Sequence, residues 1–170
     1  SDYFYYAYNL RHHHTYSRSI TRATDSQSNI TPDAVRSPGY PLFLTLFVDG
    51  PPAGKLIKRI QLFQMLISFL TLISAFFLFR CFLPPLSACM SAMLVACSPH
   101  LIMFNSYILS ETLFCFSLVV MAWLSCRYVN HPSLWLSAIM GIIMGVGSLI
   151  RPSLQFFPLI MAIFLLIHHG

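Results

Sequence analysis

Acidic residues all but vanish after the first third of this 170-residue chain, where Glu111 is the only one in the last 121 positions. Charge of either sign is scarce. Asp, Glu, Lys and Arg make up 9% of the sequence and hydrophobic residues 56%, against roughly 25% charged in soluble domains. Polar surface could not cover a core that apolar at this length, which excludes a soluble globule and implies an integral membrane protein. The apolar runs also lack period-two alternation, which excludes a membrane β-barrel and leaves helices. No Cys stands at metal-ligand spacing from a His. Cys81, Cys89, Cys97, Cys115 and Cys126 lie in or beside apolar runs and read as buried thiols. The chain opens on Ser1-Asp2 without a Met or a signal-peptide pattern and stops at Gly170 just after an apolar run, so it reads as an internal piece of a longer protein.

The few charges are unevenly spread. Residues 1–50 hold four Arg and four Asp, whereas residues 51–170 hold six cationic residues against Glu111, giving the net +5. In so apolar a chain that excess suits membrane lipid or a phosphate partner, not nucleic acid.

The organisation expected is an all-α polytopic membrane protein, with about five transmembrane helices after an amphipathic external loop. The loop is residues 1–58 and the bundle residues 59–170. An aromatic helix over 3–10 leads into a Ser/Thr/Arg-rich loop from His12 to Arg36. Pro38-Gly39-Tyr40-Pro41 then forces a turn, and Pro41 starts a short interfacial helix over 42–48. Three consecutive histidines, His12 to His14, cannot all face one metal ion from a regular helix and read as flexible polar loop. Five spans are expected at 60–79, 86–104, 112–126, 134–150 and 153–167. The third and fifth fall furthest short of roughly 20 residues, so their ends must reach into the turns. Gly141 and Gly145 form a GxxxG pair that implies close helix packing. Gln64, Ser68, Thr71 and Ser74 read as polar helix contacts.

An isolated carboxylate in apolar sequence is costly, so Glu111 must line a polar cavity, pair with a cation or sit near a membrane surface. It also suits a helix start, where the dipole favours negative charge. Alternating crossings put Asp2, Glu111 and Arg151 on one side, beside Lys55, Lys58 and Arg59, with Arg80 and Arg127 opposite. His100 falls nearer the first side and is a further candidate. Eight Lys/Arg on that side against two opposite would by charge counting make it cytoplasmic.

Four segments have a familiar look: SDYFYYAYNLRHHHTYS at the start, then RSPGYPLFL, YILSETLF and SLIRPSLQFFP. In order and spacing they resemble the GT-C class of multi-spanning glycosyltransferases, in the branch of protein O-mannosyltransferases and lipid A aminoarabinose transferases. The resemblance implies an external or periplasmic active face in the plasma or inner membrane. It implies an inverting transfer of a sugar from a polyprenyl-phosphate donor to an acceptor hydroxyl, with this piece inactive alone. By family position Asp2 is the catalytic base, although Tyr3 follows it where the family often has an acid or Ser. Glu111 would orient Asp2 or the acceptor, or bind a divalent metal. Arg151 is the first choice for the leaving phosphate. Arg36 and Tyr40 shape the loop near the donor, while Lys55, Lys58 and Arg59 are either substrate-binding cations or headgroup anchors. The competing readings are a transporter or flippase of lipid-linked saccharides, which needs charge at mid-membrane, and a non-catalytic membrane scaffold.

Overall fold

The computed structural model describes residues 2–19, 30–50, 54–99, 103, 107, 110–157, 159–160 and 163. Among them there is no strand. The helices are α1 (Asp2–His13), α2 (Gly39–Thr45), α3 (Gly54–Arg80), α4 (Pro85–Ala96), α5 (Glu111–Asn130) and α6 (Leu134–Ile150), followed by a 3₁₀ turn at Pro152–Phe156. Helices α3 and α5 are long and apolar enough to cross a membrane, and α4 and α6 are shorter apolar helices.

The breakers account for most boundaries. Pro132 precedes α6, and Pro152 forbids helix at Arg151, whose φ of −148° and ψ of 117° are extended. The bounds of α6 are those expected. Helix α4 ends at Ala96 instead of reaching residue 104, because Pro99 excludes helix just before it. His100 and residues 104–106 lie outside the described set, as do most of 158–170, where the expected last span falls. Helix α3 begins at Gly54, ahead of Ile60, so the expected boundary at 58/59 falls inside a continuous helix and Lys55, Lys58 and Arg59 occupy its first turns. Helix α2 begins at Gly39, ahead of Pro41. A proline is tolerated in a first turn, where the missing N–H has no intrahelical partner to lose.

Helices α3 and α5 run parallel. Near their starts Ile60 and Leu113 share one apolar cluster, and near their ends the Phe77 and Trp123 rings meet at 5.6 Å. Helix α6 returns antiparallel to α5, with Met121, Met144 and Leu154 buried between them. Two expectations fail on helix rotation. A β-carbon on Gly141 or Gly145 would meet nothing within 4 Å, whereas one on Gly147 would meet Leu154 at 3.0 Å and Ser117 at 3.6 Å. The close packing thus belongs to Gly147, not to the GxxxG pair. Cys81 and Cys97, just past the ends of α3 and α4, and Cys89 within α4 are exposed instead of buried, and the outer faces of the two helices also show Leu62, Phe69, Met90 and Leu94. Such a surface suits contact with lipid or with further apolar helices.

The described residues of the first 50 form a roof over one end of the bundle. Phe4, Ala7, Tyr8, Tyr40, Leu44, Phe47 and Val48 bury together against Ile60 of α3. The histidines belong to this roof more than to a flexible loop. His12 and His13 complete α1 and His13 is buried, while His14 takes a φ of 52° that turns the chain out of the helix. Asn9 fixes the returning chain by donating to the Ser17 carbonyl at 2.8 Å and the Ser19 carbonyl at 2.9 Å.

Candidate active site

Each element ending under the roof contributes a polar side chain because its local sequence stops or starts a helix there. Asp2 opens α1 and Glu111 opens α5, positions where a helix N-terminus favours a carboxylate. Arg151 leaves α6 in extended conformation, and its Nη1 lies 3.4 Å from Glu111 Oε1. Its guanidinium also sits 5.1 Å from the Phe114 ring centroid, one turn further along α5. Arg36, just before the α2 turn, places Nη2 3.4 Å from Asp2 Oδ2. The site therefore contains two carboxylate–arginine pairs.

Tyr3 joins them. Its hydroxyl lies 3.3 Å from Ser110 Oγ, immediately before Glu111, and the Arg36 guanidinium sits 5.3 Å from its ring centroid. The edge-on ring of Tyr40 meets it at 5.1 Å and 87°, an arrangement that aromatic quadrupoles favour. Tyr40 is fully buried and accepts a hydrogen bond from Gln64 Nε2 at 2.9 Å. Burial, then the charge of Glu111 and the neighbouring Tyr3, push its hydroxyl above the usual tyrosine range, so it stays protonated. Tyr40 reaches the site through Tyr3. Glu111 is shielded from most solvent, and its Oε2 is buried without a hydrogen-bond partner among the described residues. A buried carboxylate oxygen in that state has unused capacity to accept a hydrogen bond.

A second clasp sets the position of Arg36. Tyr6 and Tyr16 stack at 4.4 Å, Tyr6 donates to Asp33 Oδ1, and Tyr16 donates to the Arg36 carbonyl at 2.8 Å. The Tyr6 hydroxyl holds the Asp33 carboxyl below its ordinary value.

Of the residues singled out from sequence, Asp2, Glu111, Arg36, Tyr40 and Arg151 come together here. Lys55, Lys58 and Arg59 lie at the same end of α3, but Arg59 turns to Asp49 at 3.7 Å, which Arg11 also holds at 2.8 Å. Among the described residues no ion pair joins the three to Asp2 or Glu111. Tyr3, Ser110 and Gln64 were not singled out for the site, and adjacency to Asp2 and Glu111 was the available signal for the first two. The described residues contain no group of three His, Cys, Asp or Glu that could hold a metal ion, and each site carboxylate faces an arginine.

Residues 36–170 match the sequence profile of the dolichyl-phosphate-mannose-protein mannosyltransferase family. The chain belongs to this family. Membership in this mannosyltransferase family makes it part of a membrane-integral glycosyltransferase, in agreement with the four sequence segments and the lipid-facing surface. The matched stretch contains Arg36, Tyr40, Glu111 and Arg151, while Asp2 and Tyr3 precede it. No curated protein and no solved structure matches the chain.

Proposed function

We propose that the roofed end of the bundle is the external-face active site of a glycosyltransferase. It would move a sugar, mannose by family, from a polyprenyl-phosphate donor to an acceptor hydroxyl with inversion. The observation that carries this reading is the meeting of two carboxylate–arginine pairs, Asp2–Arg36 and Glu111–Arg151, under one roof at span ends. Helices α3 and α5 start at this face and α6 ends there, and the described residues of 1–50 cover it.

In the proposed reaction the acceptor oxygen attacks the anomeric carbon as the bond from that carbon to the phosphate oxygen breaks. Asp2 takes the acceptor proton through Oδ1, since Arg36 faces Oδ2 and keeps the carboxylate in place. Glu111 Oε2 accepts a hydrogen bond from the acceptor or a sugar hydroxyl. The leaving polyprenyl phosphate gains negative charge, which Arg151 stabilises with its planar fork. Lys55 and Lys58, free of the Asp49 pairing, hold lipid phosphates at the rim. The charges sit at helix ends, with no acid in mid-span among the described residues, which favours transfer over transport.

The test is sugar transfer by the full-length protein in liposomes, with polyprenyl-phosphate mannose as donor. Asp2→Asn keeps size and hydrogen bonding but removes the base, so turnover should fall about 10²–10⁴-fold while donor KM holds. Near-parental turnover by this variant would refute the base assignment.

A further inference from the structure

We propose that Gln64, a side chain inside the first long span, is a positioning residue for the Asp2–Glu111 site, acting through Tyr40 and Tyr3. The functional half of this inference rests on the glycosyltransferase reading. Gln64 is fully buried in α3, where an amide without a partner would be costly. It spends a donor on the Tyr40 hydroxyl, and that bond ties the spanning helix to the roof. The tie sets where the Tyr40 ring lies. The Tyr40 ring in turn fixes the edge-on Tyr3 ring, and Tyr3 meets both Arg36, the partner of Asp2, and Ser110, the neighbour of Glu111. One amide within the bundle thus controls the height of the start of α1 over the start of α5. The proposal assigns Gln64 no contact with substrate.

Two readouts separate positioning from mere packing. In a cysteine-free full-length protein carrying Ser110→Cys, the buried thiol under Tyr3 is modified by a water-soluble maleimide, with and without Gln64→Leu or Tyr40→Phe. In a separate background with Ser110 intact, transfer kinetics are measured with polyprenyl-phosphate mannose. Either substitution should speed maleimide modification and lower kcat about ten- to a hundred-fold, the scale of an ångström-level misplacement. Donor KM should stay within about twofold, because donor contacts are untouched. The double variant should be no worse than either single one, since both remove the same bond. Unchanged modification at position 110 would overturn the proposal, as would faster modification with full kcat, or additive losses in the double variant. Should Gln64→Leu fail to fold, Tyr40→Phe carries the test by removing the same bond from the other side. A parent protein that transfers no sugar would overturn the glycosyltransferase reading, and the labelling arm would still decide whether Gln64 holds the roof.

Discussion

Gly39 packs against the end of α6 so closely that a β-carbon on it would stand 2.6 Å from the Ile150 nitrogen and 2.7 Å from the Leu149 carbonyl oxygen. The contact is with backbone, which cannot swing aside as a flexible side chain can. It joins the Pro-Gly-Tyr-Pro turn to the residue just before Arg151, so that Tyr40 and Arg151 are placed by the same junction. Gly39→Ala should therefore push α2 and α6 apart. Overpacking of this kind costs about 1–3 kcal/mol, and sugar transfer should drop with the displaced Arg151. Thermal unfolding in detergent and a transfer assay check both effects, and an unchanged melting temperature with full transfer would show that the junction yields easily.

Acid should loosen the Arg36 clasp at Asp33. The hydrogen bond from Tyr6 is the main cause of that carboxyl's depressed value, with backbone N–H groups and Arg18 adding to it and desolvation opposing. A depressed folded value means the contribution is present above the ordinary 3.8 and is lost as pH falls through the lower folded value. The Asp33 amide, bonded to the Tyr16 carbonyl at 2.9 Å, reports on the clasp. Hydrogen exchange at that amide, corrected for intrinsic rates, should lose protection below about pH 4. Asp33→Asn should remove the pH dependence. Constant protection down to pH 2 would argue against the clasp.

The parts of the site visible in the sequence were those fixed by the cost of charge in an apolar chain. Glu111 and Arg151 had to lie at span ends, and counting crossings was enough to bring them to one face. The bounds of α6 were equally legible, because Pro132 and Pro152 forbid helix at known places. Side-chain orientation was not. Nothing local distinguishes Tyr3 from Tyr5, Tyr6 or Tyr8, and only the register of α1 against α2 turns Tyr3 toward Ser110 and Arg36. Gly147 outranks Gly141 and Gly145 for the same reason, since the rotation of α6 is set by Ser117 and Leu154, which no short motif encodes. Gln64 resembled any polar helix contact until its partner was known.

The external face proposed for the site runs against charge counting. Val35 in the roof is exposed, as are Phe82 in the turn after α3 and Leu134 at the start of α6, both at the far end of the bundle. In a cysteine-free full-length protein, Val35→Cys should be labelled by an impermeant reagent from outside. Phe82→Cys and Leu134→Cys should be labelled only after permeabilisation. The reverse pattern would place the site in the cytoplasm, as the eight Lys/Arg on the roof side would have it.

In the proposed reaction Arg151 is where phosphate binding and carboxylate pairing would compete. In the resting arrangement its guanidinium neutralises Glu111 at 3.4 Å, but with both groups part-exposed such a pair stabilises the fold by at most about 1 kcal/mol. Removing it should thus affect chemistry more than folding. Arg151→Ala should raise donor KM for polyprenyl-phosphate mannose and lower kcat, with little change in melting temperature. Part of that loss would come from leaving the Glu111 charge unpaired, so the comparison needs Arg151→Ala combined with Glu111→Gln. If Arg151 holds the phosphate, the double variant keeps the raised donor KM of the single one. If Arg151 only neutralises Glu111, the double variant recovers donor KM, and Lys55 and Lys58 become the phosphate ligands to test next.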